Sequence, residues 1–499
     1  MADVHNFEYW QAKAAELQPN GQAWVNGKSC AAVNGDTFAK HSPIDSRLLA
    51  HVASCDQADA DATVRVARAV LDRGDWSRKA PAQRKRVMQA FADLIEAHRE
   101  ELALLECLDM GKPIADALTV DVNGTLRCIR WCAEAIDKIY DELAPTPDNE
   151  IGMITREPSG VVAAIVPWNF PMTMASWKIG PALATGNSVI LKPSEKSPLT
   201  AIRLAQLATE AGIPDGVFNV LPGFGHTVGK ALALHMDVDT LVFTGSTKIA
   251  KQLMVYAGES NMKRVWTEAG GKSPNIVFAD APDLDAAAEA AASAICYNMG
   301  EVCTAGSRLL VEASIADTFM AKVRAHVGNW RPGNPLDPNT NVGAIVDEQQ
   351  MNQVLGFIEK GKAEGGRLTA GGKRAEVVKD GFFIEPTVFE GITNDMTIAQ
   401  EEIFGPVLSV ITFKDEADAL RIANDTIYGL AAAIWTGNLG KAHRMAKGVR
   451  AGSVWVNHYD GGDMTAPFGG FKQSGNGRDK SMHAFDKYTE LKATWIKLD

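Results

Sequence analysis

VVAAIVPWNFPMTMASWKIGPALATGNSVILKPSEKSPLTAIRLAQLATEAGIPDGVFNV (residues 161–220) is the stretch that sets the fold. Three short apolar runs stand in it: Val161–Val166, Ser188–Leu191 and Val217–Val220. Alanine-rich segments with helical spacing lie between the runs, such as Thr200–Ala211. Strands alternating with helices predict βαβ units and a parallel sheet. A fourth run, Leu241–Phe243, continues the series.

Downstream a second series begins. Asn275–Phe278, Ser307–Val311, Val407–Phe413, Leu430–Trp435 and Ser453–Val456 read as strands, with helices such as Leu284–Tyr297 and Glu416–Asn424 between them. The chain therefore divides into two α/β lobes joined near Gly270-Gly271. Upstream, Asp56–Leu71, Pro81–His98 and Glu101–Met110 carry apolar residues at helical spacing, the first behind an acidic cap. The tail, Tyr488–Leu498, alternates apolar and polar residues. It reads as a strand without a partner in its own lobe, and so one that pairs elsewhere, another subunit included.

Composition bounds the function. The 499 residues are 46% hydrophobic and 22% charged, an ordinary globular balance for about three domains or two large ones. Fifty basic against sixty-one acidic residues leave a net charge of −11, which argues against nucleic acid or an anionic membrane as partner. The start, Met1–Trp10, is polar and acidic, with no apolar targeting core. The longest apolar stretch, Val161–Trp168, is broken by Pro167 and is too short for a membrane span. Seven cysteines (30, 55, 107, 128, 132, 296, 303) are scattered without CxxC or zinc spacing. A reducing, cytoplasmic setting without a metal site is expected, and a free thiol is available as a nucleophile.

Cys303 fits that role. It lies in NMGEVCTAGS (298–307), among the small residues that let a backbone approach a substrate. Cys107, Cys128 and Cys296 stand in apolar or helical stretches and read as packing, as do Cys128 and Cys132 together. Glu268 precedes Gly270-Gly271 at the lobe junction, where sites are commonly built. In PWNFP (167–171) two prolines hold Asn169 rigid, either as a structural turn or as an amide donor to a ligand. LVFTGSTK (241–248) ends a strand in Gly-Ser-Thr before a helix, a place where backbone N–H groups meet a phosphate. GFGHTVG (223–229) is one residue too long for the dinucleotide glycine fingerprint, and a plain turn reads it equally well.

Taken in order, PWNFP, LKPSE (191–195), FTGST (243–247), TEAGGKSP (267–274), GEVCTAGSR (300–308), EEIFGPV (401–407) and PFGGFKQSGNGR (467–478) resemble the NAD(P)-dependent aldehyde dehydrogenase superfamily. The resemblance runs from about residue 20 to the C-terminus and is nearest to bacterial ω-aminoaldehyde enzymes of the γ-glutamyl-γ-aminobutyraldehyde type. It implies a Rossmann-like NAD-binding domain (1–140 and 159–270), a second α/β catalytic domain (271–486) and a small β oligomerisation element (141–158 and 487–499). It implies a homotetramer or homodimer. It makes Cys303 the nucleophile, Asn169 an oxyanion donor, Glu268 the activator of water, and Lys178 a lysine that tunes protonation.

The same resemblance places the cofactor against Val166, Trp168, Lys192, Glu195, Gly225, Gly229, Phe243, Gly245, Ser246, Ile249, Glu402 and Phe404. A carboxylate at Glu195 favours NAD over NADP, since it repels a 2′-phosphate. Lys192 nearby softens that preference. Phe170, Trp177 and Phe468 match the aldehyde tunnel. Asp460 and Asp463, on the loop Asn457–Ala466, and Asp121 on the opposite wall are expected to attract an amine-bearing aldehyde. The runner-up substrate class is a broad aliphatic aldehyde or betaine aldehyde. Three departures stand out: Ala250 where many relatives have glycine, Ala269 where leucine is commoner, and Cys296 where an aromatic is frequent.

Overall fold

The computed structural model describes residues 5–499, so the first four residues of the polar start lie outside it. The first sheet has seven strands. Five are parallel, in the order Arg264–Ala269, Thr240–Gly245, Val161–Ile165, Ser188–Lys192 and Phe218–Val220. The central two, Val161–Ile165 and Ser188–Lys192, are buried throughout because helices cover both faces. Two short antiparallel strands, Ala23–Val25 and Lys28–Cys30, finish the edge. The sequence pattern does not show them, nor the ribbon Thr37–His41 with Leu48–Ala53 beside them. Three to six residues carry too little alternation to stand out.

The second sheet also has seven strands. Thr387–Glu390, Val407–Phe413, Arg308–Glu312, Pro274–Val277, Ala431–Trp435 and Ser453–Val456 run parallel, with Arg367–Ala370 antiparallel at one edge. The chain passes between the sheets through Gly270-Gly271. Gly271 is required there by a backbone clash, while a side chain at Gly270 would displace a carboxylate. A Cβ on Gly270 would meet Glu402 Oε2 at 1.9 Å, and one on Gly271 would meet the Cys303 carbonyl oxygen at 2.4 Å.

Helix signals hold where caps were visible. Gln57–Arg73 starts behind Asp56, which forms a full capping box with Asp59 and is closed by Gly74 in the left-handed region. Pro81–Ala97, Arg99–Met110 and Leu199–Glu210 follow the predicted spacing. Cys128 and Cys132 pack against the helix Pro171–Ala184, where Gly180 leaves room for their sulfurs.

The tail finds its partner outside its own lobe. Thr489–Lys497 pairs along its whole length with Glu150–Pro158 of the same chain, antiparallel, and Glu142–Ala144 completes a three-stranded sheet. The tail's partner is thus intramolecular, and its other edge is open. Among the described residues no helix is long and apolar enough to cross a membrane.

Candidate active site

Because five of the seven strands of the first sheet are parallel, their C-terminal ends share one edge, where ligands of open α/β sheets bind. Val166 closes the first of these ends, its N–H donating to the Lys192 carbonyl at 3.1 Å. Lys192 Nζ then donates to Glu195 Oε2 at 3.1 Å. Burial raises the Glu195 carboxyl, but Lys192 outweighs it and the net shift is downward, so Glu195 stays ionised. Ser246 caps the helix Thr247–Glu259, its hydroxyl accepting from the Ile249 N–H at 3.4 Å. A Cβ on Gly245 would sit 2.5 Å from the Phe243 ring and would force that ring to shift. Ala250 lies buried on that helix, so its extra methyl faces inward. Gly225 opens the turn Gly225–Gly229 and borders open space, since a Cβ there would meet nothing within 4 Å. Gly229 is buried, and a Cβ there would meet only the Phe224 carbonyl oxygen, at 3.8 Å. These groups form an open cradle with a free helix start and one carboxylate, which fits a dinucleotide.

A chamber of about 290 Å³ continues from the cradle. Trp168, Asn169, Gly245, Ser246, Glu268, Glu402 and Phe404 line it. Trp168 and Phe404 meet edge to face, 5.1 Å between centroids. Phe404 holds φ at +56°, a strained conformation, while its carbonyl accepts from Gln350 Nε2 at 2.8 Å. Glu402 accepts from the Gly271 N–H at 3.1 Å, and burial pushes its carboxyl up to about 7.

A second cavity of about 880 Å³ lies on the other side of Cys303. The half-buried Phe170, Trp177, Tyr297 and Phe468 line it together with the exposed Asp460 and Asp463. Cys303, Met174, Trp177 and Phe468 line both cavities, so the thiol stands where they meet. Trp177 and Phe468 touch edge to face at 5.1 Å between centroids.

The loop that presents Cys303 is bent by three consecutive residues in the left-handed region: Asn298, Met299 and Gly300. Only glycine fits at 300, where a Cβ would lie 2.3 Å from the Gly405 carbonyl oxygen. The Asn169 amide donates one hydrogen to the Glu301 carbonyl at 2.8 Å. Asn298 donates to the same carbonyl and to that of Asn169, each at 3.2 Å. The Asn169 side chain is thereby fixed, with its second N–H still available. Burial, then Glu402, Asp460 and Glu268, push the Cys303 thiol up to about 12.

Glu268 is 3% exposed, and among the described residues neither carboxylate oxygen has a hydrogen-bond partner. Burial first, then the nearby Asp479, raises its carboxyl well above the usual range. Lys178 does not stand alone. Asp479 accepts from Lys178 with one oxygen and from Lys487 with the other, all three side chains being buried. Asp479 and Lys487 escape a reading of the sequence. Asp479 directly follows the PFGGFKQSGNGR motif, and that adjacency was the available signal.

One expected substrate residue is corrected. Asp121 lines neither cavity. It is fully buried, and Lys112 Nζ donates to both its oxygens at 2.7 and 2.8 Å. A carboxylate spent on a buried ammonium cannot also hold a substrate amine. Its sequence neighbours Val120, Gly124 and Arg127 face the tunnel instead. Arg127 and Lys480, both unforeseen, join Asp460 and Asp463 at the mouth.

A two-lobed α/β protein with a strand-edge dinucleotide cradle and a half-buried cysteine where two cavities meet defines a class of cysteine-dependent oxidoreductase. The chain belongs to the Aldehyde dehydrogenase family, whose sequence profile matches residues 31–494. It is 55% identical over 497 residues, all of both chains, to the NADP/NAD-dependent aldehyde dehydrogenase PuuC of Escherichia coli K12. A solved structure of the indole-3-acetaldehyde dehydrogenase AldA of P. syringae, in complex with NAD+ and IAA, is 68% identical with a TM-score of 0.98, covering 99% of this chain and 100% of that one. The γ-glutamyl-γ-aminobutyraldehyde dehydrogenase of Burkholderia cenocepacia is 59% identical with a TM-score of 0.97, at the same coverage.

Proposed function

We propose that the protein oxidises an ω-aminoaldehyde, or its γ-glutamylated form, to the carboxylic acid with NAD. The carrying observation is the position of Cys303 at the meeting of two cavities, with the unpartnered Glu268 carboxylate in one of them. The γ-glutamyl-γ-aminobutyraldehyde dehydrogenase named above supports the aminoaldehyde class, and the NAD+ complex of AldA the use of NAD, with NADP a poorer second because of Glu195.

The chain's residues act in sequence. The raised Cys303 thiol must lose its proton, and Glu268, raised and unpartnered, is the base at hand. The Cys303 sulfur adds to the aldehyde carbon, and a thiohemiacetal oxyanion forms. The free Asn169 N–H and the Cys303 backbone N–H face that charge. NAD, when bound, accepts the hydride, and the carbon is left as a thioester on Cys303. Glu268, once it has passed the thiol proton on to solvent, takes a proton from water; the hydroxide attacks the thioester, and the Cys303 sulfur leaves with the proton that Glu268 returns, releasing the acid. Lys192, Glu195, Gly225, Gly229, Phe243, Gly245, Ser246, Ile249, Glu402, Phe404, Val166 and Trp168 would hold the dinucleotide. Phe170, Trp177 and Phe468 would guide the aldehyde.

The reading carries a division of labour. Residues 1–140 and 159–270 bind the cofactor, and 271–486 supply the nucleophile. Residues 141–158 and 487–499 join subunits into a homodimer or homotetramer, supported by the open edge of the tail strand and its exposed Leu491, Trp495 and Ile496. The cytoplasm is the expected compartment. The test is rapid mixing with NAD and 3-aminopropanal, followed by propanal and betaine aldehyde. A burst of NADH close to one per site, with 3-aminopropanoate as product, is expected. No NADH from any of the three would reject the reading.

A further inference from the structure

The outer part of the substrate cavity carries four full charges among its lining residues: Asp460, Asp463, Arg127 and Lys480. They are two of each sign. Among the described residues none of the four forms an ion pair with another within 4.0 Å, although each aspartate feels Lys480. Elsewhere the chain couples opposite charges freely, as at Asp479. Here they are held apart.

The holding is built in. Tyr459 donates its hydroxyl hydrogen to the Thr304 carbonyl at 2.6 Å, next to the nucleophile. Trp455 donates to the Gly461 carbonyl at 2.7 Å. Asp460 lies between these two anchors with φ at +55°. Asp463 accepts from the Thr465 N–H at 2.7 Å. Lys480 follows the buried Asp479 and precedes Ser481, whose N–H donates to the Met464 carbonyl at 2.7 Å. Its ammonium sits 5.4 Å from the centre of the Trp177 ring. Arg127 faces them from the helix Asn123–Ala135.

A mouth meant for a simple amine would gain from the aspartates and lose to the two cations. Separated charges of both signs complement one group that carries both an ammonium and a carboxylate. We infer that the mouth reads an α-amino-acid head at the far end of the aldehyde, with Arg127 and Lys480 on its carboxylate and Asp460 and Asp463 on its ammonium. This rests on the proposed aldehyde oxidation and narrows its substrate class to zwitterion-headed aldehydes. The apolar section between mouth and Cys303, walled by Phe170, Trp177 and Phe468, then takes the uncharged linker.

The test compares kcat/KM for four aldehydes: γ-glutamyl-γ-aminobutyraldehyde, the same compound with its α-carboxylate amidated, the same with its α-amine acetylated, and propanal. The wild-type protein should prefer the unblocked compound by about tenfold over either blocked one, the size of a charge-assisted contact at a partly wet site. Arg127→Gln and Lys480→Gln should erase the preference over the amide while keeping that over the acetylated compound. Asp460→Asn with Asp463→Asn should do the reverse. Equal use of the three long aldehydes by the wild type overturns the inference but leaves aldehyde oxidation standing. A drop for all four substrates alike in the exposed Arg127→Gln variant also overturns it, as a structural role would. No NADH from any of the four rejects the reading beneath it.

Discussion

The inner end of the tunnel and its mouth use the same residue types and hold them in opposite ways. At the inner end, Lys178, Asp479 and Lys487 are buried and bonded to one another, and Glu268 lies beside them without a partner. At the mouth, Asp460, Asp463 and Arg127 are exposed on a loop and a helix surface, and the charges are kept apart. Desolvation makes the inner charges strong and costly to disturb. Solvent makes the outer ones weak singly and useful only as a pattern. Chemistry belongs with the first arrangement and selection with the second.

Breaking the inner end should have the largest effects. Cys303→Ala should abolish the NADH burst and lower kcat by at least about 10,000-fold, since no other nucleophile lines both cavities. Asn169→Ala should cost about 100- to 1,000-fold in kcat, read in steady state, because it removes an oxyanion donor. Glu268→Gln should slow acid release by about 100-fold or more.

The pH profile sharpens the Glu268 assignment. Burial and Asp479 raise its carboxyl, and only the ionised form is a base. Activity should therefore fall as pH drops through that raised value and recover as pH rises. Glu268→Gln should flatten this limb; a limb that persists unchanged in the variant would move the base elsewhere. Asp479→Asn leaves two buried ammonium groups without their anion. It should destabilise the fold by about 3–5 kcal/mol in urea unfolding. Asp463→Asn, on the exposed loop, should change stability by less than about 0.5 kcal/mol in the same measurement. A large loss there would erase the contrast between the two regions.

The contrast also explains what sequence could reveal. Parallel strands buried on both faces read as uninterrupted apolar runs, so the two sheets were legible at Val161–Ile165 and Ala431–Trp435. Cys303 and Asn169 stood out because glycines and prolines mark backbones bent for a purpose. Lys178 and Asp479 are 301 residues apart, and nothing local joins them. Asp121 looked like a tunnel carboxylate because helical spacing cannot say which face meets Lys112. The balanced mouth was half visible: Asp460 and Asp463 share one loop, whereas Arg127 and Lys480 come from distant segments.

The pairing of Glu150–Pro158 with Thr489–Lys497 has a consequence during synthesis. As the chain emerges from the ribosome, the earlier strand waits for more than three hundred residues before its partner exists. Throughout that interval Ile151, Met153 and Leu143 belong to a sheet lacking one edge, open to pairing with another nascent chain. Closing so long a loop is also slow. The three-stranded sheet is therefore where premature contacts between growing chains are to be avoided, and where a holding chaperone would have most to protect.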